Sequence, residues 1–110
     1  MKAAHGPWRS VDLAIDANHA AYAGHFPGRP ILPGVVLLDA ALHALATEGL
    51  LDPARCRVAS CKFSSPVRPS DRVVLELSAT ANGSIRLRFS AGGRAVASGV
   101  VTPCDRDEAR

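Results

Sequence analysis

The chain has little that would mark a metal centre, a membrane anchor or a nucleic-acid surface. Its three cysteines, Cys56, Cys61 and Cys104, are an odd number. Neither Cys56 nor Cys61 has a second Cys or His pair to complete a tetrahedral zinc site. They read as reduced thiols of a cytosolic protein, not as a disulfide framework. Residues 1–7 contain no apolar stretch of signal-peptide length. The longest apolar segment, residues 31–46, is interrupted by Pro33, Gly34, Asp39 and His43. It is too short and too polar to span a bilayer. Neither secretion nor membrane insertion is expected, and the predicted location is the cytoplasm. Aromatics are scarce, with one Trp, one Tyr and three Phe, and the arginines are scattered without a dense basic block. A formal charge of only +3 argues against nucleic acid and suits an acidic protein partner better. No repeat, linker or low-complexity run divides the chain.

What remains is a chain of 110 residues, 47% apolar, that suits one domain over 1–110. One sheet layer around one helix leaves much apolar surface, so self-association is expected. Val11, Leu13 and Ile15 alternate with more polar neighbours, which predicts a half-buried strand over residues 8–15. Residues 24–34 carry three prolines and three glycines, which forbid regular structure and stiffen the loop. The only good helix is predicted over 35–48, with Val35, Leu38, Leu42 and Leu45 at helical spacing, Pro33 just ahead and Gly49 as a left-handed cap. Apolar residues on its other faces predict burial on most sides. The second half predicts strands over 55–63, 73–80, 85–90 and 95–102. The second and third of these are joined by a turn at Asn82-Gly83, both residues tolerating positive φ. Gly92-Gly93 makes a second tight turn. The tail, 103–110, is predicted to fray. One strand, one helix and an antiparallel sheet make an α+β pattern.

Four positions stand out for chemistry. Asp39 lies among apolar neighbours in the helix, where an ionised carboxylate is costly unless paired. Either it points to a solvent gap or caps a loop, or burial keeps it protonated so that it can act as an acid near neutral pH. His25 is either an ordinary loop histidine or a base held rigidly by the Gly/Pro loop that leads into the same helix. Gly34 is either a plain helix-start glycine or the source of a backbone amide that, with the helix dipole, receives a thioester oxygen. His43, four residues after Asp39, is either packing or a hydrogen-bonding partner of that carboxyl.

The string Asn18-His19-Ala20-Ala21-Tyr22-Ala23-Gly24-His25-Phe26-Pro27-Gly28-Arg29-Pro30-Ile31-Leu32-Pro33-Gly34-Val35 resembles the active-site stretch of the FabA/FabZ-type beta-hydroxyacyl-acyl-carrier-protein dehydratases. That family reads close to G-H-F-P-x-x-P-x-x-P-G-V, then an acid four positions after the valine, which is Asp39 here. Lys62-Phe63-Ser64-Ser65-Pro66-Val67-Arg68-Pro69-Ser70-Asp71 is similar to the family's second block, K-F-x-x-P-V-x-P-G-D. The resemblance covers roughly residues 11–102. The acid is Asp, as in the FabA branch. His43 stands where a glutamine is usual, His19 where an acid is common, and Ser70 where the second block has glycine. The proportions resemble the small ApeI-like dehydratases of specialised lipid or polyene pathways.

The resemblance implies a hotdog fold, a curled antiparallel sheet around one central helix, working as a homodimer or a higher assembly of dimers. It implies a dehydratase that converts beta-hydroxyacyl thioesters to trans-2-enoyl thioesters. His25, Asp39 and Gly34 are then catalytic, with His25 and Asp39 supplied by different subunits. Phe26, Pro33, Val35, Val36 and His43 are expected to bind substrate, and the acyl chain to run in an apolar tunnel between subunits that Leu37 also lines. No metal and no cofactor is expected, the phosphopantetheine arm belonging to the acyl carrier protein or coenzyme A that carries the substrate. Two other readings stand beside it, a hotdog acyl thioesterase and a non-catalytic acyl-carrier-binding subunit.

Overall fold

A computed structural model of the chain describes residues 8–13, 15, 32–69 and 71–104. Strand β1 (Arg9–Asp12) precedes helix α1 (Gly34–Thr47). A short 3-10 turn (Pro53–Arg55) leads into β2 (Cys56–Phe63), β3 (Val73–Ala79), β4 (Ile85–Ala91) and β5 (Arg94–Pro103). The strands form one antiparallel sheet in the order β1-β3-β4-β5-β2. The element order matches the sequence expectation, with small shifts at the ends. β1 is shorter than predicted, although Leu13 extends the ladder by donating to the Val73 carbonyl at 3.0 Å. The helix begins one residue early, at Gly34. β5 runs to Pro103, and the Cys104 amide bonds to the Arg55 carbonyl at 2.9 Å, so the predicted fraying does not begin at 103.

The period-2 pattern decides which side of the sheet is dry. On β3, Val73, Leu75 and Leu77 are buried, and on β4 Ile85, Leu87 and Phe89. They lie in register, Leu75 opposite Phe89 and Leu77 opposite Leu87. Leu37, Ala41 and Leu45 of α1 join the same core. This row, spaced by four, is the packed face of the helix. It shares only Leu45 with the predicted stripe. Leu38 and Leu42 are only partly buried, and Val35 is 70% exposed. The periodicity of a helix apolar nearly all round does not say which stripe the sheet will take, and here the sheet takes only one. Each fully buried leucine of that row contributes roughly 2 kcal/mol by removal from water. Val36, Ala40, Leu42 and Ala44 pack only partly against this core, and Val35, Asp39, His43 and Thr47 are exposed, which corrects the expectation of burial on most sides.

The helix stops where the sequence puts its stop. Gly49 has φ 73°, its amide bonds to the Ala46 carbonyl at 3.0 Å, and Leu50 bonds to Leu45 at 2.9 Å. This pair of bonds is a Schellman cap, and the left-handed residue in it favours glycine. In the β3–β4 connection only Gly83 has positive φ; Asn82 does not, contrary to expectation. The Asn82 side chain instead accepts from the Ser84 amide at 3.2 Å, closing the turn by a local hydrogen bond. Gly92 and Gly93 both have positive φ, as a two-residue β4–β5 hairpin requires.

Candidate active site

Asp39 and His43 sit one turn apart on the exposed side of α1. Both line a groove of about 400 Å³ between that helix and the first strand. Val11, Leu13 and Ile15 supply one apolar wall, and Val36, Ala40 and Ala44 the other. The two polar side chains thus share a mostly apolar trough, with no hydrogen bond between them among the described residues. Two acidic residues of the lining are paired: Glu48 with Arg9, and Asp12 with Arg72 at 2.7 Å. The side chain of Asp12 lowers the acidity of the Arg72 guanidinium further, first by its hydrogen bond and then by its charge. Asp39 is exposed, so its own chain does not give it the dry surroundings expected from the apolar run. Of the neighbours that looked enclosing in sequence, Val36 and Ala40 line the same groove, while Leu37 and Ala41 turn into the core.

Gly34 lies on a second groove, of about 300 Å³, that shares no lining residue with the first. Leu37, Phe63, Pro66 and Val96 form its sides. Pro33 caps the helix with extended backbone, φ −62° and ψ 142°, and offers no side-chain cap to the first amides. The amides of the first turn lack ordinary intrahelical partners and carry the positive end of the dipole. Here the Val36 amide reaches back to the Pro33 carbonyl at 3.0 Å. A methyl group added at Gly34 would stand 2.7 Å from two atoms of the Phe63 ring, so the glycine is what lets that ring lie on the helix start.

Of the predicted site residues, Asp39, Val36 and His43 line the first groove and Gly34 the second; Pro33 caps the helix beside Gly34, and Val35 stands exposed at the helix start. His25 and Phe26 lie outside the described residues. Sequence reasoning missed two contributors. Phe63 was read only as a motif letter, and nothing in its surroundings announced contact with Gly34. Arg94 was not singled out at all. It donates through Nε to Ser65 Oγ at 2.9 Å, and through its terminal nitrogen to the Pro66 carbonyl at 2.8 Å and to Asp71 at 2.9 Å. The Asp71 carboxyl is held below the usual range chiefly by the Arg68 amide, helped by Arg94 and opposed by burial. The three cysteines are free. Burial pushes the Cys56 and Cys61 thiols up. Among the described residues no three His, Cys, Asp or Glu side chains gather as metal ligands, and no helix is long and apolar enough to cross a membrane.

A 3-hydroxyacyl-[acyl-carrier-protein] dehydratase FabZ from Pectobacterium atrosepticum is 35% identical over 72 aligned positions, covering 57% of this chain and 48% of that protein. The FabZ from Klebsiella pneumoniae is 33% identical with the same coverage. The chain therefore spans about half the length of the curated relatives it matches. Among solved structures, the dehydratase heterocomplex ApeI:P from Xenorhabdus doucetiae superposes with a TM-score of 0.73 at 23% identity, over 96% of this chain and all of that one. These likenesses fix the hotdog fold. The profile of the ApeI-like family, ApeI dehydratase, matches residues 5–100, and the chain belongs to that family.

Proposed function

We propose that the protein is a hydro-lyase that dehydrates beta-hydroxyacyl thioesters, carried on acyl carrier protein or coenzyme A, to trans-2-enoyl thioesters in the cytoplasm. The observation that carries the reading is Asp39, an exposed carboxyl at mid-helix on a trough walled mostly by apolar side chains. A second copy closing over that trough would supply the dry surroundings in which a carboxyl stays protonated.

In this mechanism the thioester oxygen accepts a hydrogen bond from the Gly34 amide at the positive end of α1. Charge developing on that oxygen is then stabilised, an effect typically worth about 2.7–4 kcal/mol. His25 of one subunit takes the proton from C2. Protonated Asp39 of the other gives its proton to the hydroxyl on C3, the C3–O bond breaks, and water leaves. The histidine then carries one extra proton and the aspartate one fewer, so proton transfer between them resets the site. No metal or redox group enters the balance. In this reading Val36, Val35 and His43 contact the acyl part of the substrate, and Phe26 and Pro33 complete the binding site.

The test uses a beta-hydroxyacyl carrier-protein substrate, with the enoyl product followed by mass spectrometry. His25→Ala and Asp39→Asn each lose most of the rate. Mixed in equal amounts and allowed to exchange subunits, the two inactive variants recover about a quarter of wild-type activity, because half the dimers then hold one intact site of two. Full activity in either variant alone sinks the assignment. Free thiol without enoyl product points to a thioesterase instead, and binding without turnover to a subunit that needs a partner, a reading favoured by the paired state of the Xenorhabdus doucetiae relative.

A further inference from the structure

The start of α1 is not held by a cap of its own. Pro33 provides no side-chain hydrogen bond. What holds it is the loop between β2 and β3, through two contacts. The Leu32 amide donates to the Val67 carbonyl at 2.8 Å, with both residues buried. The Phe63 ring lies against Gly34. That loop is in turn fixed to β5, since the amides of Ser64 and Ser65 both reach the Val96 carbonyl, at 2.7 and 3.2 Å. Arg94 closes it by joining Ser65, Pro66 and Asp71 through one guanidinium. Asp71 completes the ring by accepting from the Arg68 amide at 2.9 Å and donating its own amide to the Arg68 carbonyl at 2.9 Å.

From this chain of contacts we infer that Arg94, with Asp71, is a positioning residue for the reaction: it sets the loop that places the Leu32–Gly34 segment, and so the amide that receives the thioester oxygen. The inference rests on the role given to Gly34 under the proposed function. The Arg94–Asp71 pair is partly exposed, with side-chain exposures of 37% and 18%. Such a pair is worth little as a plain salt bridge. Its value is geometric. A planar guanidinium reaches three acceptors in fixed directions, and a lysine ammonium on a flexible stem does not reproduce that fork. A shift of about 1 Å in an oxyanion donor costs on the order of 100-fold in rate. A loosened loop should therefore show in turnover before it shows in folding.

Arg94→Lys and Asp71→Asn test it. For each full-length variant one measures kcat and KM for dehydration, the urea midpoint, and hydrogen exchange at the Leu32 amide. The expected result is a kcat lowered by about 10-fold or more with KM within about twofold, a midpoint that leaves the protein folded under assay conditions, and Leu32 exchange faster by about 10-fold. Wild-type turnover in Arg94→Lys, or unchanged Leu32 protection, overturns the inference. So does a kcat loss that only tracks the unfolded fraction. If the wild-type protein makes no enoyl product from any thioester, the proposed function fails by itself, and Leu32 exchange alone then decides whether Arg94 sets the segment.

Discussion

Replacing Gly34 by alanine pits two effects of similar size against each other. Gly34 is not in left-handed backbone, so alanine meets no torsional strain there. Alanine in a helix is better than glycine by roughly 0.5–1 kcal/mol. Against this, the new methyl would stand 2.7 Å from Cε1 and Cζ of Phe63 and 2.9 Å from Cε2. Comfortable carbon contacts are about 3.5–4.0 Å, so the ring must retreat by about 1 Å. Overpacking costs about 1–3 kcal/mol. Phe63 is 49% exposed and the clash involves its outer edge, which puts the cost near the low end. Gly34→Ala alone should therefore change stability by less than about 0.5 kcal/mol. In a Phe63→Ala background the clash is gone and only the helix gain remains, so the same change stabilises by about 0.5–1 kcal/mol. Urea unfolding of the four proteins at constant slope gives the cycle, with an expected coupling of about 1 kcal/mol. Equal effects of Gly34→Ala in both backgrounds, within about 0.3 kcal/mol, would show that the ring does not set the identity of residue 34.

Two further outcomes follow from the loop and the helix cap. The Asp71 carboxyl titrates below its unfolded value, so its contribution is present above about pH 4 and is lost as pH falls through the depressed folded value. Asp71→Asn should cost about 1–2 kcal/mol at neutral pH, and urea titrations should show the gap to wild type narrowing below pH 4; a constant gap down to pH 2 would contradict the assignment. Gly49→Ala places a Cβ in open space but at φ 73°, so the loss of about 1 kcal/mol is purely conformational, and thermal unfolding should register it as a drop of several degrees.

Much of the fold was legible because local signals and the global arrangement agree. Alternation on β3 and β4, the Gly49 stop and the Gly92-Gly93 turn each act within a few residues, and each appears in the structure. Asn82 shows the limit of such reading: the turn is at the expected place, yet the residue works through its side-chain oxygen and not through positive φ. The helix shows a deeper limit. With apolar residues on nearly every face, the pattern could not choose between the Val35 and Leu37 stripes, and only the position of the sheet decides. Arg94 was invisible for a related reason. Its acceptors are 23 to 29 residues away in sequence, and no periodicity reports a contact made across a hairpin.

The placement of Gly34 and Asp39 on separate grooves carries its own argument about assembly. Five helical residues separate them, which means about 7.5 Å along the axis and a turn of about 140°. The first-turn amide points off the end of the helix, while a side chain at position 39 projects from its flank. In a beta-hydroxyacyl thioester the carbonyl oxygen and the departing hydroxyl are two carbons apart. One rigid helix does not bring its terminal amide and its mid-helix carboxyl to both of these atoms. The proposed dehydration would therefore draw the amide from one helix and the carboxyl from another. Asp39 and His43 are exposed on that flank, in a groove whose opposite wall is the first strand. Under the proposed function each chain would then carry two half-sites, and an exposed Asp39 in a single copy is what such a shared site requires.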